Sequence, residues 1–460
     1  MKQIRIAYIG GGSRLWARGL MSDLAVESDL GGEVILYDID YQAAVNNATI
    51  GNLMMKQPNA VGEWTFSVSK TLDEALVGAD FVFISILPGT FDEMETYVHR
   101  PEHWGVYQTV GDTTGPSGVF RSLIMMPMYE TFAKAIERIC PHAWVINFTN
   151  PMTMCVQMLY HVFPKIKAFG NCHEVFFVQK ILARALKEAT GIDAHRHEIQ
   201  INPQGINHFT WINYASYKDI DIMPIYQDFV DKYYDVGLSG DQWVHVGPFG
   251  SAERVKLDLF KRFGVIAAAG DRHLVEFLPH DWYMKDKAMI ESWRFFLTPV
   301  SLRKEIKQRG NESAERIAKG LESVRISPSG EEGILQLKAL LGLTELITNI
   351  NIPNQGQIPN LPLGHVVETN AVFRRDDVKP VFTGNMPEIP AEITMKHIEN
   401  HHRLLKAFDH KDLAYALEAL EHDVSLSHLS KSDIKAMFDD IVPRLKPYLT
   451  YYSNTKLIKL

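Results

Sequence analysis

The stretch IRIAYIGGGSRLWARGLMSDLAVES, residues 4–28, decides the fold. Its first seven residues are a short apolar run entering glycines, the pattern of a parallel strand buried on both faces. Apolar residues then recur at helical spacing, with Leu15, Leu20, Leu24 and Ala25 able to share a face. Strand, glycine turn and helix in that order put backbone N–H groups and a helix N-terminus where a pyrophosphate can be held. Gly10 permits the tight turn and Gly12 permits close approach of a ligand, with Gly11 and Ser13 completing the loop. Leu15 stands where the third glycine of the strict G-x-G-x-x-G fingerprint would be. Asp38 ends the next strand, residues 33–40, where a carboxylate can accept hydrogen bonds from a ribose 2′-hydroxyl. A 2′-phosphate would be repelled there, so the cofactor expected is NAD. The alternative is an α/β protein with an unused glycine turn.

Working outward, residues 80–89 and 143–151 are further apolar strands, and 41–57 and 122–140 are helical. Strands alternating with helices imply an α/β fold with a Rossmann-type parallel sheet. The pattern changes near residue 190. Strand-like pieces at 199–217 mix with long helices, 303–333 reads as a solvated helix and loop, and 334–350 reads as an apolar helix. A nucleotide-binding domain over 1–190 and a mixed α/β substrate and oligomerisation domain over 191–460 are therefore expected.

With 46% hydrophobic and 22% charged residues in 460, the composition is that of a globular protein. A net charge of −8 without a basic stripe argues against nucleic acid as a partner. No run approaches the ~18 apolar residues of a membrane span. The first residues lead directly into a strand, so no export signal is expected. Three cysteines, Cys140, Cys155 and Cys172, fit a reducing cytoplasm better than a disulfide framework.

Three polar clusters interrupt apolar sequence. FGNCHEVFF, residues 169–177, sets Cys172, His173 and Glu174 side by side. GINHFTW, residues 205–211, holds His208. AAAGDRHLVEFLP, residues 267–279, holds Asp271, Arg272, His273 and Glu276. Read alone, Cys172 is a small buried hydrophobe or a ligand, His208 a hydrogen-bonded histidine or a ligand, and Asp271 a helix cap or a reactive carboxylate.

Together with IGGGS, ILPG, GDTTGPSG (111–118), NFTNPM (147–152) and NIPNQGQIPNLP (351–362), in consistent order over nearly the whole chain, these clusters resemble glycoside hydrolase family 4. Within that family the sequence is most similar to the α-galacturonidases. The resemblance implies a fold like lactate and malate dehydrogenases, a homo-oligomer, and NAD with manganese as cofactors. It implies metal ligation by Cys172 and His208, proton donation by His173 and sugar contact by Asn150. The base is expected at Asp271, with His273 as the alternative. Arg272, or Arg121, would pair with a uronate carboxylate. Ordinary glycosidases use two carboxylates, and this family is an exception. The implied reaction is transient oxidation at C3, metal-assisted loss of the C2 proton and elimination of the C1 oxygen. Alternatives are an α-glucosidase, α-galactosidase or α-glucuronidase of the same family, or a hydroxy-acid dehydrogenase.

Overall fold

Ile6 and Tyr8 enter one core while Ala7 and Ile9, on the opposite face of the same strand, enter another. A strand apolar on both faces must be covered on both, and the rest of the chain supplies those covers. The computed structural model describes residues 1–239 and 247–453. Residues 240–246 and 454–460, both inside the second expected domain, lie outside the described residues.

Six strands form the parallel half: β1 (Lys2–Ile9), β2 (Leu30–Tyr37), β3 (Glu63–Val68), β4 (Phe81–Ile84), β5 (Trp144–Asn147) and β6 (Lys167–Gly170). Their spatial order, β3-β2-β1-β4-β5-β6, is the doubly wound arrangement. It reverses direction between β1 and β4, so a crevice opens at the carboxyl ends of those two strands. Seven strands continue the same sheet: β7 (Ile199–Ile206), β8 (Phe209–Tyr217), β9 (Ile220–Asp221), β10 (Ile266–Ala267), β11 (Leu346–Pro353), β12 (Val366–Arg374) and β13 (Asp377–Pro380). β11 lies antiparallel beside β6, and β12, β7, β8 and β10 follow outward.

The cores ignore the expected boundary at residue 190. One combines Phe120, Leu123 and Met126 with Leu404, Phe438, Leu445 and Tyr452. The other combines Tyr8 and Phe83 with Ile334, Leu337, Ile350 and Phe373. The apolar run 334–350 is not one helix. The helix Gly333–Leu340 stops at Gly342, whose φ is +76°, and β11 begins at Leu346. Gly342 ends the helix by taking the left-handed conformation, and the β-branched Ile347, Thr348 and Ile350 then favour a strand. The solvated helix expected within 303–333 is the outer helix Val300–Ala318.

The helix Glu388–His410 carries His401, whose Nδ1 lies 3.3 Å from Nε2 of His365 beside β12. Both rings are buried. Burial pushes His365 down to about 3 and His401 well below its ordinary value, so both stay neutral in the folded chain.

Two outcomes follow from this packing. A methyl group on Gly10 would meet the Ser85 carbonyl oxygen at 2.0 Å, and φ there is +89°. Gly10→Ala should therefore cost ~2–4 kcal/mol, measured as a lower urea midpoint. The unfolded chain takes up protons at His365 and His401 below pH ~6.5 while the folded chain does not. Each group then removes about 1.4 kcal/mol of stability per pH unit of acidification. Glu368, which burial raises to about 7, opposes this over its own window, because it binds its proton in the folded state first. Other buried groups are shifted in the same window, His208 and His397 downward and Asp271 and Glu276 upward, so the pair's share is read by difference. Between pH 7 and pH 5 wild type should lose more of its urea midpoint than a variant carrying His365→Gln and His401→Gln, and equal losses would show that the pair is protonated in place.

Candidate active site

At the nucleotide crevice the turn after β1 is held from both sides. Gly10 and Gly11 donate to the Tyr37 carbonyl at 2.9 and 3.0 Å, and Ser13 donates to that of Gly10 at 2.9 Å. Asp38 accepts the Gly12 N–H at 2.8 Å and the Asp40 N–H at 2.9 Å, one on each oxygen. A Cβ on Gly12 would reach Asp38 Oδ2 at 2.9 Å, so only glycine fits. Asn47 ties the Gly11 and Ser13 carbonyls at 2.8 and 2.9 Å. Beyond the turn lies a crevice of about 510 Å³ whose lining includes Arg14, Arg18, Lys304 and Lys307. The same lining carries Asp40, Asp92, Glu312 and Glu315, with Lys304 paired to Asp92, so it is the glycine turn and its backbone N–H groups that suit a pyrophosphate, and Asp38 keeps a free lone pair on each oxygen for a ribose.

A second centre gathers at the sheet's carboxyl edge. Asp112 lies just before the helix Gly115–Ile139, His208 in the turn between β7 and β8, and His273 on the short helix Asp271–Leu274. One ligand atom from each lies within 4.8 Å of the other two. His208 has φ +64°, an uncommon conformation for a residue with a side chain, and this aims its ring at the cluster. The His208 and His273 rings stack with centroids 3.6 Å apart.

Thr113 sets the chemistry of the cluster. Its hydroxyl donates to Asp112 Oδ1 at 2.7 Å and lies 2.9 Å from His208 Nδ1. A hydroxyl proton already given to a carboxylate leaves only oxygen lone pairs, so His208 must donate from Nδ1. Its Nε2 then carries the lone pair. Burial is the largest influence on His208 and lowers it to about 3, so the ring is neutral and able to ligate. Burial would raise Asp112, but His273, Arg121, His208 and the Thr113 hydroxyl outweigh it and hold the carboxyl well below its usual range. A carboxylate with two imidazoles is a donor set suited to a divalent cation.

Asn150 and Glu174 join this centre. Asn150 Nδ2 donates to Asp112 Oδ2 at 3.3 Å, and its buried Oδ1 has no partner. Glu174 accepts the Gly270 N–H at 2.7 Å, with its other oxygen 3.9 Å from His273 Nε2 and 4.0 Å from His173 Nε2. Cys172 is buried against Met152, Val156 and Val366, beside Asn207, the chain neighbour of His208. Burial, with Glu368 and Glu174, keeps its thiol far above the ordinary value, so it ionises only if a cation arrives. His173 is half exposed at the edge of a cavity of about 840 Å³ that also borders Trp16 and Phe148. Its Nδ1 lies 3.3 Å from Glu331 Oε1, which raises its pKa.

Two expected residues serve elsewhere. Asp271 is fully buried and accepts the N–H groups of Lys256 and Val255 at 2.9 and 3.1 Å, so it caps the helix Arg254–Phe263. It is not placed to act as a base, because adjacent residues of one helical turn point in different directions. His273, two positions on, faces the cluster instead. Arg272 does not await a carboxylate. Its guanidinium donates to the carbonyls of Phe296, Phe249 and Thr109 at 3.0, 2.9 and 2.6 Å and to the Thr298 hydroxyl. Arg121 remains beside the centre, with Nε on the Asn150 carbonyl at 2.8 Å. Asp112 and Thr113 were not anticipated as site residues. The signal for them was an acid and a hydroxyl in a glycine-rich turn entering a helix, GDTTGPSG.

The chain matches the family model described as Family 4 glycosyl hydrolase over residues 5–188 and its C-terminal domain over 204–425. An alpha-galacturonidase of Thermoanaerobacterium saccharolyticum is 52% identical over 450 residues, covering 97% of this chain and 96% of that protein. A Bacillus subtilis crystal structure described as a glucosidase superposes with a TM-score of 0.91 at 46% identity, covering 96% of this chain and 100% of the other. The 6-phospho-beta glucosidase of Thermotoga maritima, solved with manganese, NAD+ and glucose-6-phosphate, shares the fold. Its TM-score is 0.77 at 20% identity, covering 97% of this chain and 99% of that one.

Thr113→Val keeps the shape of the side chain and removes the hydroxyl oxygen that accepts from His208 Nδ1. The Mn²⁺ dissociation constant should rise about tenfold, read from the electron paramagnetic resonance signal of free Mn²⁺. Unchanged affinity would separate Thr113 from cation binding.

Proposed function

Because this chain belongs to the family 4 glycosyl hydrolases, we propose that it is an α-galacturonidase that uses NAD and a divalent cation, manganese by preference, to release galacturonic acid from short α-linked uronides. The observation that carries the reading is the Asp112–His208–His273 cluster at the edge of a Rossmann sheet, in a chain 52% identical along its length to an alpha-galacturonidase. Support for the cofactors comes from the glycine turn with Asp38 beside its crevice and from the neutral-imidazole and carboxylate donor set.

When bound, NAD would supply a reversible hydride acceptor for the sugar's C3, and the cation a Lewis acid for its neighbouring oxygens. The chain's own residues bind these groups, contact the sugar and protonate the leaving oxygen. Gly10, Gly11, Gly12, Ser13 and Asp38 hold the nucleotide. Asp112, His208 and His273 would hold the cation, and Cys172 would add a thiolate to that set. Asn150, with a buried oxygen lacking a partner, accepts a sugar hydroxyl. Glu331, facing Nδ1, favours the doubly protonated His173 ring, which gives its Nε2 proton to the departing C1 oxygen and keeps the one on Nδ1. Arg121 pairs with the uronate carboxylate, a role Arg272 cannot fill. The chain works as a homo-oligomer in the cytoplasm, with residues 1–190 as the nucleotide-binding unit and 191–460 as the substrate-binding and oligomerising unit.

A single assay tests the reading. An α-linked digalacturonide is supplied with NAD, Mn²⁺ and a reductant in D₂O. Monomer should be released without net NADH, deuterium should appear at C2 of the product, and chelation should abolish turnover. NADH formed in step with substrate consumed would instead mark a dehydrogenase.

A further inference from the structure

Glu276 is 5% exposed and sits on a short turn between apolar neighbours, its charge within reach of the Arg272 and Arg303 guanidiniums. One of its oxygens accepts three consecutive backbone N–H groups: Thr109 at 2.7 Å, Val110 at 2.8 Å and Gly111 at 3.0 Å. The Thr109 hydroxyl reaches the same oxygen at 3.1 Å. The carbonyls of this segment are held as well. Arg272 takes that of Thr109 at 2.6 Å and Arg303 that of Val110 at 3.0 Å. Three charged side chains thus fix five backbone groups of the segment that ends at Asp112. Gly111 has φ +70°, and a Cβ there would meet Val98 at 2.6 Å, so the segment has little freedom of its own.

A buried carboxylate is costly unless its hydrogen bonds serve a purpose. Here they stiffen the loop that presents a cation ligand. The same seven residues, Asp271 to Phe277, also carry His273 into the cluster. We propose that Glu276 is a positioning residue of the metal centre. Without touching cation or substrate, it clamps the 109–111 segment so that Asp112 meets His208 and His273 at ligating distance. This rests on the cation site proposed above.

The test compares full-length wild type with Glu276→Gln and Glu276→Asp. The first keeps the shape and removes the charge, and the second keeps the charge and withdraws it by one carbon. Mn²⁺ binding is read by electron paramagnetic resonance, NAD binding by fluorescence titration, and backbone mobility by hydrogen–deuterium exchange of peptides spanning 109–112. The Mn²⁺ dissociation constant should rise about tenfold or more. NAD affinity should stay within about twofold, because Glu276 makes no contact with the glycine turn. Exchange at 109–112 should quicken. Mn²⁺ affinity equal to wild type in a variant that folds would overturn the proposal. So would parallel loss of Mn²⁺ and NAD binding, which would mark a purely structural role. Should Glu276→Gln fail to fold, Glu276→Asp decides by the same readings. If wild type itself binds no Mn²⁺, the cation site fails, and exchange at 109–112 alone decides whether the clamp exists.

Discussion

The contact between β6 and β11 is the joint on which the site depends. It is narrow, with Gly170 opposite Asn351 as the paired residues. A Cβ on Gly170 would meet Met152 Sδ at 2.7 Å, so a side chain there would displace Met152. Asn351 is held in turn by Glu368 on β12 at 3.1 Å. Through this seam a parallel sheet built for a nucleotide becomes continuous with an antiparallel sheet that ends in the His208 turn. Asn171, Cys172 and His173 leave β6 directly beyond it. The crevice after β1 and the cluster around Asp112 therefore belong to one rigid edge.

Around that edge, unusual protonation is the product of burial and partners. Asp112 stays ionised inside the protein because cationic and donor groups surround it, and His208 stays neutral because it is buried beside another imidazole. Neither state costs the fold a second partner, since Thr113 serves both. Cys172 is the complementary case. Its surroundings favour the thiol over the thiolate.

The parallel half was legible because its signals are local. Two-faced apolar strands, a glycine turn and an acid at the end of the second strand each act within a few residues. The antiparallel half was less so. Residues 334–350 read as one helix because hydrophobicity alone does not show that Gly342 terminates it. At the site, the segments carrying function were visible, but which residue of each segment faces inward was not. Asp271 and His273 are two apart on one turn, and only the packing of helix Arg254–Phe263 against Asp271 decides between them. Arg272 offered the right charge for a uronate, yet five donors on a buried guanidinium are as readily consumed by carbonyls, and no local pattern distinguishes these uses. Asp112 was hidden for the converse reason. Its partners come from segments about 95 and 160 residues away in the chain, so nothing near it marks it as a ligand.

The sharing of cores has a consequence for how the chain is made. The helices beneath β1, β4 and β5 bury Phe120 and Leu123 against Leu404, Phe438 and Leu445, and the Tyr452 hydroxyl binds the Leu123 carbonyl at 2.8 Å. A ribosome delivers the nucleotide half first, roughly two hundred residues before the segment that seals one of its faces, and until then that face lacks its cover. Loss of residues 404–452 would uncover Phe120 and Leu123 and so injure a part of the fold translated long before them.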